Sequence, residues 1–167
     1  MSFLSKLFNY VPTEERKGIV LSERSCWEIN GLKDLPSFLR ELSYLIPLDS
    51  VLYLEGGDTP KELRIYLKER IAKEICKVEM GTIWPRPQCF HMQITYENLE
   101  GLAKLAENYA TPEVAIHFHV YKNRKMLLMW YDAFFDPLYI SREISEDKIR
   151  NFCDRLRVEY KEFNENK

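Results

Sequence analysis

Glu113-Val114-Ala115-Ile116-His117-Phe118-His119-Val120-Tyr121-Lys122-Asn123-Arg124-Lys125-Met126-Leu127-Leu128-Met129-Trp130-Tyr131-Asp132-Ala133 is the stretch on which the reading of the fold turns. Its first half alternates, with Ile116, Phe118 and Val120 on one side and His117, His119 and Tyr121 on the other, as successive residues of a strand must. Lys122-Asn123-Arg124-Lys125 interrupts the pattern, and a second apolar run follows. Two strand-length runs about a short polar turn predict an antiparallel hairpin of 113–121 with 126–133. Closing it symmetrically about Asn123-Arg124 sets His117 opposite Trp130, His119 opposite Leu128 and Asp132 opposite Ala115, with Ile116, Phe118 and Val120 buried under helices.

Working outward, residues 88–94 repeat the alternation: Phe90, Met92 and Ile94 against Cys89, His91 and Gln93. Residues 75–84 read as their hairpin partner across Trp84-Pro85-Arg86-Pro87. Short strands are predicted at 18–22, 26–30, 50–55 and Leu138-Tyr139-Ile140. Helices follow from apolar spacing and caps. Asp34 and Pro36 open one that ends before Pro47, and Thr59-Pro60-Lys61-Glu62 opens another. Thr95 opens a third, in which Gly101 predicts a close backbone approach. Ser145 opens a fourth, whose stripe runs Ile149, Phe152, Cys153, Leu156 and Tyr160.

These elements specify a single α+β domain over residues 1–167. The expected architecture is a mixed, mostly antiparallel sheet of about five to seven strands with about four helices, packed as a two-layer sandwich. Residues 1–12, with Phe3, Leu4, Leu7 and Phe8 at helical spacing, read as an amphipathic segment docked on the domain. The polar alternation in two strands favours one open sheet face.

Composition narrows the function. Lys+Arg 24 against Asp+Glu 26 leaves a formal charge of -2 with the signs interleaved. No basic stripe offers phosphates a counter-charge, which argues against nucleic acid. No run reaches a membrane-spanning length. Cys26, Cys76, Cys89 and Cys153 lack Cys-x-x-Cys spacing and read as free thiols, which suit a reducing, cytoplasmic setting.

The chemistry-bearing candidates are the three histidines, His91, His117 and His119, together with Asp132. A His-x-His pair on a strand with a third His and a carboxylate could ligate a metal, or supply acid–base groups for a hydrolase. The metallo-β-lactamase-like and cupin-like extensions of such a pair are missing at 121–124. The preferred reading is therefore side chains hydrogen-bonded on a half-buried face, with no metal and no cofactor. Glu55, at the end of its strand before Gly56-Gly57-Asp58, is a minor candidate.

Leu52-Tyr53-Leu54-Glu55-Gly56, His117-Phe118-His119-Val120-Tyr121 and Trp130-Tyr131-Asp132-Ala133-Phe134 resemble stretches of small bacterial proteins without an assigned function. The resemblance spans residues 50–141 and implies a bacterial cytoplasmic protein. It brings no functional residue with it.

The leading expectation is a non-enzymatic, immunity-like or regulatory domain that holds a protein partner on the sheet face. Its anchors would be Tyr121 and Trp130, in a setting shaped by His117 and His119. The alternatives are a hydrolase using His91, His117, His119 and Asp132, and an RNA-binding domain that stacks bases on exposed aromatics.

Overall fold

The computed structural model of the chain describes residues 11–22 and 24–164. The docked segment expected at residues 1–12 falls almost wholly outside them. The architecture is α+β. The helices are α1 (Thr13–Arg16), α2 (Leu35–Leu45), α3 (Lys61–Glu69), α4 (Tyr96–Ala106), α5 (Thr111–Val114) and α6 (Glu146–Leu156). The strands are β1 (Ser25–Asn30), β2 (Val51–Gly56), β3 (Gln88–Gln93), β4 (His117–Lys122), β5 (Lys125–Trp130), β6 (Leu138–Ser141) and β7 (Glu159–Asn164). They form one seven-stranded sheet in the order β3-β2-β4-β5-β6-β1-β7, antiparallel at each pairing.

The helices form where cap and stripe coincide. Asp34 accepts the Ser37 amide at 2.9 Å and opens α2, whose Leu35, Phe38, Leu39, Leu42 and Leu45 are buried. Thr95 accepts the Asn98 amide and opens α4. Gly101 on α4 lies against Tyr66, so that a β-carbon there would collide with the ring. This is the close approach its sequence position predicts. At α3 the expected cap differs: Pro60 takes the N-cap position, and Thr59 is buried with its hydroxyl unpartnered.

One face of the sheet carries Trp27, Ile29, Leu52, Leu54, Phe90, Met92, Phe118, Val120, Leu128, Trp130, Leu138 and Ile140, all packed with the buried sides of α2, α3, α4 and α6. This is the main core. Strand pairing aligns the opposite face in rows, and one row crosses every strand: His91, Tyr53, His119, Met129, Tyr139, Glu28, Lys161.

Three expectations change. First, residues 75–84 are no strand, and the hairpin they were to form is absent. They belong to an irregular strap, residues 70–84, that crosses the second face. Three of its amides are satisfied by side chains standing on the sheet, Tyr121 receiving that of Cys76 and Glu55 those of Gly81 and Thr82, while the Ala72, Glu79 and Met80 amides go to the backbone carbonyls of His91, Ile19 and Arg16. Buried backbone groups need such partners when no ladder supplies them. Residues 18–22 likewise contribute one bridge, Ile19 with Val78, to the strap and not to the sheet. The face expected to be open is therefore covered over β2 and β4.

Second, the last helix ends at Leu156. Arg157 turns left-handed (φ 56°), and residues 159–164 become β7, so Tyr160 packs on Trp27 from a strand at 5.7 Å. The charge-rich Glu159-Tyr160-Lys161-Glu162 suits an edge strand exposed to water and gives no apolar alternation to read.

Third, the β4–β5 register shifts. The turn is Asn123-Arg124, both residues with positive φ, as the symmetric closure requires. Tyr121 faces Met126, but Val120 faces Leu128, so Leu127 is an extra residue and the pairing slips by one. Beyond this bulge Phe118, not His117, faces Trp130, and His119 faces Met129. A one-residue slip exchanges faces. Trp130 accordingly lies on the helix-covered side.

Candidate functional site

At the end of the sheet where β2 finishes and β4 begins, Glu55 and His117 pair across the strands under the strap. Glu55 is fully buried. Its carboxylate accepts the Tyr53 hydroxyl at 3.0 Å and the Gly81 amide at 3.2 Å through Oε2, and the Thr82 amide through Oε1. Three donors on one buried carboxylate replace the water that burial removed. The effect is a latch that pins the strap to the sheet.

His117 is buried beside it, with Nε2 3.8 Å from Glu55 Oε1. Its Nδ1 accepts the Asp132 amide at 2.9 Å. The proton of the neutral ring then sits on Nε2, which meets Thr82 Oγ1 at 3.2 Å. Burial pulls the imidazole below its ordinary value, against Glu55, Asp132 and Asp136, which favour the charged form. Gly81 packs directly on the ring, where a β-carbon would clash.

His119 repeats the arrangement one step along β4. Its Nδ1 accepts the Trp130 amide at 3.2 Å, its ring stacks on Tyr53 at 5.7 Å, and its buried Nε2 has no hydrogen-bond partner. Burial, helped by neighbouring His117, holds it down to about 3. His91 stands on the same face with its Nδ1 3.0 Å from the Tyr121 hydroxyl, and burial lowers it as well.

The sequence candidates thus separate. His117 and His119 are adjacent, with ring centroids 6.4 Å apart, and Asp132 joins His117 at 3.9 Å. His91 stands across the Tyr53 ring from His119. Among the described residues no three His, Cys, Asp or Glu side chains are set to hold one metal ion. Both His117 and His119 spend Nδ1 on a backbone donor. Neither offers the free lone pair a general base needs: His119 accepts an amide of β5 and His117 one of the turn that follows it. Tyr121 is buried with its hydroxyl holding the strap, and Trp130 is 1% exposed, so neither of the expected contact anchors reaches a partner.

The exposed rings lie elsewhere. Trp84 is 66% exposed, two residues beyond Thr82, and Phe135 is 88% exposed, three residues beyond Asp132. Thr82 and Asp132 grip opposite nitrogens of His117, so both rings stand on loops tied to one buried imidazole. Sequence held a partial signal for each: Pro85 and Pro87 follow Trp84, and Phe134-Phe135 exceeds what strand alternation can bury on one side. The role of Glu55 as a latch had no such signal, because Gly81 and Thr82 lie 26 and 27 residues away in the chain.

Cavities of about 480, 410 and 370 Å³ open at the opposite end, round the hairpin tip, and share Lys122, Asn123, Lys125 and Glu143 between them. No family model, curated protein or solved structure matches the chain.

Proposed function

We propose that the protein is a non-enzymatic protein-binding domain, regulatory or immunity-like in role and cytoplasmic in setting. It presents Trp84 and Phe135 to a partner from the Glu55–His117 end of the sheet. The observation that carries this reading is the exposure of two large aromatic side chains on loops anchored to the same buried histidine. Single exposed apolar residues are ordinary on any protein. Two rings on tethered loops differ, because little further ordering is lost when a partner docks, and aromatic anchors concentrate binding energy. Ile83, also exposed, extends the apolar surface beside Trp84.

The test is capture from a lysate of cells that produce the protein, using wild type, Trp84→Ala, Phe135→Ala and Tyr44→Ala. Tyr44 is an exposed ring on α2 that serves as the control. Each anchor variant is expected to weaken capture at least roughly tenfold. Thermal melts should stay within about 0.5 kcal/mol of wild type. Full capture by both anchor variants, or equal loss in Tyr44→Ala, overturns the reading.

A further inference from the structure

We propose that His117 is a proton-operated clasp on the binding end: neutral, it holds the Trp84 and Phe135 loops in one arrangement, and protonation on Nδ1 releases the Asp132 amide and lets the Phe135 loop move. The proposal rests on the reading of this end as a partner-binding surface and adds its regulation.

The geometry makes the two proton states of the ring structurally different. Nδ1 accepts from the Asp132 amide, a role that a protonated nitrogen cannot fill. Nε2–H keeps its place against Thr82 in both states. The amide released on protonation belongs to a residue already in the left-handed region (φ 39°), at the root of a tight turn in which Phe135 and Asp136 amides bond back to the Asp132 carbonyl. The turn is also held by the Ala133 amide on the Ile116 carbonyl and by the Trp130 indole N–H on the Asp136 carbonyl, each at 2.9 Å, so moving the Asp132 amide loosens the turn at its first residue and shifts the exposed ring between those two ties. The Asp132 carboxylate, 3.9 Å from Nδ1, can accept the new N–H once the amide has swung aside.

The groups around the ring set the balance. From β2 come Glu55 and Tyr53, with Cys89 of β3 behind them, 3.2 Å from the Tyr53 hydroxyl. His119 lies alongside on β4, and Tyr131, Asp132 and Asp136 follow β5. The strap contributes uncharged Gly81 and Thr82 against the ring, and Glu79 near Tyr131. Arg86, a cation on the loop after the strap, is held by Glu15 at 2.9 Å. Three carboxylates therefore favour the imidazolium, burial opposes it and outweighs them, and His117 changes charge below its ordinary value.

Two measurements test this, one without a partner. Amide and imidazole NMR of the whole chain, followed from about pH 7.5 down through the His117 midpoint, should show the Asp132 amide and the Phe135 ring shifting with the His117 titration. His117→Gln retains an acceptor for Asp132 and a donor for Thr82 but no proton to gain, and its Asp132 and Phe135 signals should stay put over that range. If the Gln variant folds poorly, His91→Gln and the wild type still decide: the Asp132 shift persists in the former and follows the His117 midpoint in the latter. In the second measurement, capture by wild type is expected to fall as His117 takes its proton, reaching roughly tenfold one pH unit below the His117 midpoint. Capture by the Gln variant should change less than about twofold over the same range. An Asp132 amide indifferent to His117 protonation sinks the clasp. Loss of pH dependence with both rings still required sinks the clasp and leaves the binding surface standing, whereas indifference of capture to Trp84→Ala and Phe135→Ala removes the surface itself.

Discussion

The two faces of this sheet are covered by different means, one by apolar packing alone and the other by a smaller apolar cluster with polar ties added. Over one, four helices lay Leu, Ile and Phe side chains on apolar strand residues, and the cover holds because both surfaces are apolar. Over the other, the irregular strap packs Ala72 and Val78 on Val51, Tyr53, Tyr121 and Met126, and its Cys76, Gly81 and Thr82 amides are held by the Tyr121 and Glu55 side chains. The first cover needs only shape and hydrophobicity. The second needs each polar group to find its partner, since an unmade bond in that setting costs as much as several made ones contribute. Regulation is easier to build on the second kind, because one proton can change its bonding.

The comparison breaks first at Trp130. If it is core, Trp130→Ala should cost roughly 3–5 kcal/mol in urea unfolding, because the ring packs on Phe38, Phe118 and Phe134 and donates to the Asp136 carbonyl. A loss below about 1 kcal/mol would show that the bulge does not place it there.

The latch is next. Glu55→Ala strands the Gly81 and Thr82 amides and the Tyr53 hydroxyl. The expected cost is about 3 kcal/mol. Hydrogen exchange at Gly81 and Thr82 should accelerate while Phe118 stays protected. Unchanged exchange of the strap amides would mean that the strap is held by something else.

The smallest effect, taken per pH unit, is the slope from His119. Its folded value, about 3, lies below the ordinary 6.5, so the unfolded chain takes the proton first. Its contribution to stability is whole above pH 6.5 and declines as the pH falls toward 3. The decline is about 1.4 kcal/mol per pH unit. Unfolding at two pH values within that window, for wild type and His119→Gln, reads it directly. Equal slopes in the two proteins would remove the histidine from the account.

How much of this could be read from the chain differs between the faces. Periodicity and caps determined α2, α4, the α+β class and the Asn123-Arg124 turn, because those signals act within a few residues. Alternation also placed His117 and His119 on one face and His91 on the polar face of its own strand; pairing through β2 brought the three together. Alternation failed at 126–130, where Met126-Leu127-Leu128-Met129-Trp130 is apolar throughout and nothing marks the extra residue; only pairing across the sheet decided which face Trp130 meets. It failed again at 75–84, whose apolar residues suggest a strand although the segment bonds to side chains from β2 and β4. A buried carboxylate that gathers amides from 26 residues away leaves no trace in local pattern, because the energy that places it arises only after the chain has closed over it.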